Sequence, residues 1–171
     1  MLRIVSKMAD LRFSDLMQVY IEGNRENGKI YHNQTAAEQL RSAENDFYHY
    51  LNSVFFKQPD SFYCIWEDGG AYKAALRLEP YQDGYLLCAL ETAPEARRQG
   101  YASSLIAQTI ACLAKKGDGI VYSHISKGNT RSLCVHKKCG FEIIKDYARY
   151  SDGSVLHNHY TLSYSYKKSE I

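Results

Sequence analysis

The sequence predicts a single domain, residues 1–171, of the α/β class and of the α+β kind: a mixed, mostly antiparallel sheet of about seven strands with about four helices. Two observations carry this. Ser61 to Pro94, SFYCIWEDGGAYKAALRLEPYQDGYLLCALETAP, reads as three strands parted by Asp68-Gly69-Gly70 and Gln82-Asp83-Gly84, an antiparallel meander. Past Pro94 the order becomes helix, strand, helix, strand, strand.

Taken in order, LRIVS from Leu2 is a short apolar run fit for a first strand. In ADLRFSDLMQVYIEG, Leu11, Leu16, Val19 and Tyr20 recur at roughly helical spacing. A longer helix is expected from Thr35 to about Lys57. Thr35 and Glu38 form a capping-box pair, and Leu40, Phe47, Leu51, Val54 and Phe55 keep the register until Pro59 and Asp60 end it. After the meander, Leu105, Ile106, Ile110 and Leu113 line a helix that begins near Gln99 and closes at Lys115-Lys116-Gly117. GIVYSHIS is a strand, Asn129 to Cys139 a helix stopped by Gly140. FEIIKDYARY and HNHYTLSYSY are two closing strands about a Ser151-Asp152-Gly153 turn.

Lys and Arg number 21 against 19 Asp and Glu, so no chain-wide field would hold this protein on nucleic acid or an anionic membrane. Any anion must be met locally. The charged N-terminal segment lacks a signal-peptide core and no 18-residue apolar run occurs, so the expectation is a cytoplasmic, soluble protein. Five cysteines are an odd number without a CxxC pair, which reads as reduced thiols rather than disulfides.

Cys134, His136 and Cys139 invite a metal reading. Cys134 and Cys139 are five residues apart, which on a helix separates them by roughly 140°. With no fourth ligand in the motif, no metal is expected. His157 and His159 read as part of a polar strand face.

The turn ETAPEARRQGYASS joins a strand to a helix through Arg97, Arg98 and Gly100. N–H groups at a helix start have no intrahelical partner, a glycine admits close backbone approach, and two guanidinium groups sit alongside. That is the chemistry of an anion cradle, with pyrophosphate its natural occupant; a helix start with solvated arginines would show the same letters.

At these residues the chain resembles the GCN5-related N-acetyltransferase (GNAT) family. Arg97, Gly100 and Ala102 match the family's R/Q-x-x-G-x-G/A signature, and Asn129, His136 and Phe141 fall on its second unit, an Asn, an aromatic and a Gly-Phe. The resemblance implies a sheet splayed in the middle around acetyl-CoA. Leu90, Glu91 and Thr92 would bond the pantetheine arm and acetyl carbonyl. Arg98, Gln99, Gly100, Tyr101, Ala102 and Ser103 would wrap the pyrophosphate, and Asn129 would bond the arm from the far side.

Acetyl transfer to an amine needs a deprotonated nucleophile, a polarised carbonyl and a proton for the departing thiolate. A main-chain N–H near Thr92 is the expected carbonyl donor. His136 stands where many relatives carry a tyrosine acid; about a quarter of an unperturbed imidazole is protonated at neutral pH. Tyr101, Tyr122 and Tyr147 are further candidates. His124, which shares a strand face with Tyr122 and Ser126, and Glu91 are the candidate bases.

The leading reading is an acyltransferase that moves acetyl from acetyl-CoA to a primary amine of a small molecule or peptide by direct attack. A non-catalytic acyl-CoA-binding sensor and a nucleotide-binding protein are the alternatives. The acceptor pocket is expected within Asn24 to Phe62, and Tyr164 and Tyr166 are read as a pocket wall or a homodimer surface.

Overall fold

A computed structural model describes residues 1–169. Seven strands form one sheet in the order β1-β2-β3-β4-β5-β9-β6: β1 (Leu2–Val5), β2 (Phe62–Asp68), β3 (Ala71–Tyr81), β4 (Gly84–Thr92), β5 (Gly119–Ser126), β6 (Glu142–Lys145) and β9 (His159–Tyr166). All neighbours pair antiparallel except β4 and β5. A two-residue pair, β7 (Ala148–Arg149) and β8 (Val155–Leu156), makes a separate hairpin. The seven-stranded mixed sheet agrees with the expected class.

Five helices accompany it: α1 (Phe13–Val19), α2 (Ile21–Gly28), α3 (Ala36–Ser53), α4 (Tyr101–Ala114) and α5 (Thr130–Lys138). The single helix expected over the first periodic segment is broken at Tyr20, whose backbone (φ −94°, ψ 12°) leaves the helical region. The Tyr20 side chain is buried in the core and its hydroxyl bonds across to β4, so a tertiary contact fixes the break. The Thr35 and Glu38 capping box forms as expected. That helix nevertheless ends at Ser53 rather than about Lys57: Val54 turns out of register and a 3₁₀ turn, Phe55–Lys57, drops Phe55 against Tyr63. The first of the two closing strands is likewise interrupted, because β6 pairs with β9 and the β7–β8 hairpin projects from between them.

Alternation along β2 divides the core. Tyr63 and Ile65 join Leu16, Val19, Tyr20, Leu51 and Phe55 beneath α1 and α3, while Cys64 joins Leu76, Leu78, Leu105, Ile106 and Leu113 beneath α4. α5 packs beside α4, with Leu133, Val135 and Cys139 against that second cluster. Tyr164 lies on Phe141, and the Tyr166 ring covers Gly119, where a Cβ would fall 2.3 Å from its hydroxyl. Both tyrosines therefore pack inward. Among the described residues no helix is long and apolar enough to cross a membrane.

Candidate active site

β4 and β5 pair in parallel only from Tyr85↔Val121 to Leu87↔Ser123. Beyond Leu87 the two strands separate. The cause is local: the β3 to β4 register slips between Arg77↔Cys88 and Ala75↔Glu91, and Ala89 adopts φ +50°, a left-handed conformation rare for a residue with a Cβ. The Ala89 carbonyl accepts a 2.6 Å hydrogen bond from the Tyr20 hydroxyl. Ala93 N–H bonds Lys73 on the β3 side, so alternation along the strand aims the main-chain groups of Thr92 and Leu90 into the gap. The gap thus has an unpaired strand edge on its β4 side.

α4 begins at the end of that edge. Arg98 (φ +61°) and Gly100 (φ +84°) are both left-handed, and no side chain caps the helix. The first protein-bonded amide past the turn is Ser104, to the Gly100 carbonyl, which leaves the N–H groups of Tyr101, Ala102 and Ser103 for a ligand. No atom lies within 4 Å of a Cβ built on Gly100, so the glycine is required by φ and not by crowding. Arg97 is not free for a ligand anion: its Nη2 pairs with the Glu22 carboxylate of α2 at 2.6 Å and its Nε reaches the Thr92 carbonyl at 3.4 Å. It braces α2 against β4, and of the expected guanidinium pair only Arg98 is exposed and unengaged. The Gln99 side chain turns back to the Glu95 carbonyl. The Tyr101 hydroxyl is engaged by Asp68. Glu22 went unnoticed in the sequence because nothing at 75 residues' separation marks the pair.

On the far side of the gap, Asn129 caps α5, its Oδ1 accepting from Ser132 N–H at 3.1 Å. Its amide nitrogen remains free to donate. His136, two turns further along α5, is 1% exposed. Its Nδ1 lies 2.8 Å from the Ser132 carbonyl and so carries the proton, while Nε2 is buried without a protein partner. Burial pushes its pKa below the ordinary histidine value, and the Ser132 bond opposes this. Its ring stands edge-on to Phe141 at 5.1 Å.

His124 is the first β5 residue past the last parallel pair, at the vertex of the gap and on the α1 to α3 side. Tyr81 and Tyr150 flank it at 5.3 and 4.8 Å, and neither ring nitrogen has a protein partner. Burial, then the nearby charges of His159 and Lys145, lower its pKa to about 4. Glu91, paired with Ala75, faces the same side; its surroundings raise its pKa while Arg97 opposes. The structure therefore gathers His124 and Glu91 on one face and places His136 with the helices on the other. The Tyr122 hydroxyl bonds Asp83 at the opposite end of β4, away from the gap, and Tyr147 stacks near His157 on the hairpin. Tyr81 and Tyr150 were not singled out in the sequence; one is a meander residue and the other lies in a turn, and only the fold joins them.

The supposed metal cluster is dispersed: Cys134 is exposed, Cys139 Sγ lies 3.8 Å from the Ser103 carbonyl, and His136 turns to Phe141. Among the described residues no group of three His, Cys, Asp or Glu gathers.

The acetyltransferase (GNAT) family model matches residues 28–141, more than half of the chain. Among solved structures, the chain is similar to a PaiA N-acetyltransferase from Thermoplasma acidophilum in complex with coenzyme A (TM-score 0.63, 15% identity, 97% of this chain and 99% of that one). It is also similar to the ribosomal-protein-S18-alanine N-acetyltransferase from Escherichia coli (0.60, 13%, 99% and 97%). A third is the spermidine N-acetyltransferase from Vibrio cholerae in complex with CoA and spermine (0.57, 16%, 96% and 95%). At these identities the likeness is one of fold. No curated protein sequence matches.

Proposed function

The chain belongs to the GNAT family of acetyltransferases, and from that premise we propose that it moves an acetyl group from acetyl-CoA to a primary amine of a small molecule or peptide by direct attack. The observation that carries this reading is the gap itself: an unpaired β4 edge leading straight into the uncapped start of α4. Solved relatives bound to coenzyme A, one of them with spermine, support it.

The residues fit such a co-substrate. Thr92 and Leu90 offer strand hydrogen bonds to an extended arm, Asn129 donates from the other side, and the amides of Tyr101, Ala102 and Ser103 meet the pyrophosphate beside Arg98. The bound thioester supplies an activated acetyl group. A main-chain N–H of the Leu90 to Thr92 edge donates to the oxygen that gains charge, which a fixed dipole does without reorganisation.

His124 is the proton acceptor in this proposal. It is uncharged at neutral pH, so one ring nitrogen has a lone pair ready to accept, directly or through water, as the amine forms its new bond and becomes acidic. Glu91 attracts the incoming ammonium to the same face. His136 holds its proton at Nδ1 against Ser132, so its Nε2 accepts. The C–S bond breaks to release a thiolate, a ready leaving group because its thiol has a pKa of about 8.5. The proton taken from the amine by His124 reaches the sulfur through water, and His136 Nε2 accepts a hydrogen bond from the resulting S–H. The test is thiol release with a panel of primary amines: turnover with at least one amine that falls in His124→Ala supports the proposal, and release from none of them opposes it.

A further inference from the structure

At the end of α4 away from Gly100, a cavity of about 410 Å³ opens between α4, the start of β2 and the segment from Phe56 to Ser61. Thr109 lies nine residues beyond Gly100, on the order of 13 Å along the helix, so this cavity is not part of the gap between β4 and β5. Its size falls in the range of small-ligand sites.

Two of its walls are polar in an unusual way. Thr109 is 1% exposed and Ser61 is 4% exposed, and both line the cavity; the Ser61 hydroxyl has no hydrogen-bond partner, and the Thr109 hydroxyl has only the weakly bonding Cys64 thiol beside it. Buried hydroxyls are normally satisfied, and an unpartnered serine and an under-satisfied threonine in the lining of one cavity point to a group that occupies it. The rest of the lining sets the chemistry. Phe62, Tyr85 and Leu113 are apolar or aromatic, and Lys57 and Lys116 outnumber the single acidic residue, Asp60.

We propose that this cavity is a second ligand site, separate from the acetyl-transfer cleft, for a small amphipathic carboxylate. Its apolar body lies against Phe62, Tyr85 and Leu113. Its carboxylate accepts from the Ser61 and Thr109 hydroxyls in the field of the two lysines. A carboxylate accepts two such bonds at once and is matched in charge. An ammonium ligand would be repelled by the lysines, and a bare phosphate would leave the apolar wall unused.

The whole chain is titrated with benzoate, and separately with benzyl alcohol and benzylamine, following backbone amides by NMR. The expected result is saturable shifts at Ser61, Thr109 and Leu113 with benzoate, about tenfold weaker with benzyl alcohol and absent with benzylamine, and unchanged when acetyl-CoA is present. Thr109→Val, which keeps the shape and removes the hydroxyl, should weaken benzoate about tenfold without lowering the unfolding midpoint; Ser61→Ala should act likewise. The site is overturned by any of four results: no saturable shift at millimolar benzoate, shifts centred on Tyr101 to Ser103, equal affinity for the three probes, or unchanged affinity in both variants. None of these outcomes bears on acetyl transfer, so the two proposals fail separately.

Discussion

The Tyr20 hydroxyl donates a 2.6 Å hydrogen bond to the Ala89 carbonyl across 69 residues of sequence, and this bond joins the break between α1 and α2 to the bulge that parts β4 from β5. Removing the hydroxyl in Tyr20→Phe leaves the bulged carbonyl unpaired in the core. The expected loss is about 1–3 kcal/mol in denaturant unfolding, together with weaker acetyl-CoA binding by calorimetry. A variant with normal stability and normal affinity would show that the bulge is held elsewhere.

Gly100 is left-handed with open space around its Cα, so Gly100→Ala meets no clash and pays only for its φ. The expected cost is about 1 kcal/mol of stability, seen as a lowered unfolding midpoint, with a larger relative loss of acetyl-CoA affinity.

His124 is held near pKa 4 in the folded chain, below the ordinary value of an unfolded one. Between those values the unfolded chain binds a proton that the native one does not, so this group lowers stability as pH falls from about 6.5 towards 4 and is neutral in effect above that window. Buried His136, shifted in the same direction, adds to the same trend. His124→Gln should flatten part of the acid limb of stability, and the imidazole carbon shifts of His124 should titrate near pH 4.

The partnerless Nε2 of His136 separates function from packing. His136→Leu removes a buried unsatisfied atom, so the unfolding midpoint should hold or rise, while amine-dependent thiol release falls about tenfold or more. A collapse in stability instead would assign the imidazole to the core.

Much of this was legible in the sequence, and the reasons are local. The meander turns, the Thr35 and Glu38 cap and the short helix that follows Asn129 are decided by neighbours in the chain. So is the strand-to-helix turn at Gly100, although its glycine answers to a left-handed φ rather than to the close approach expected of it. The break at Tyr20, the arrest at Val54 and the pairing of Arg97 with Glu22 are decided by tertiary contacts with other elements of the fold, and no periodicity records them. His124 was legible as a strand residue beside Tyr122, but its isolation at the vertex depends on where β4 leaves β5, which Ala89 settles. The role considered for His136 shifted because burial and the Ser132 carbonyl fix its tautomer, and neither can be read from spacing.

If the gap between β4 and β5 receives acetyl-CoA, calorimetric titration of the chain detects it, with ATP as the control for the α4 turn alone. The expected result is saturable binding of acetyl-CoA that ATP at millimolar concentration does not displace, weakened in Tyr20→Phe and Gly100→Ala. Absence of heat and of any thermal shift with acetyl-CoA, or equal binding of ATP, would contradict it.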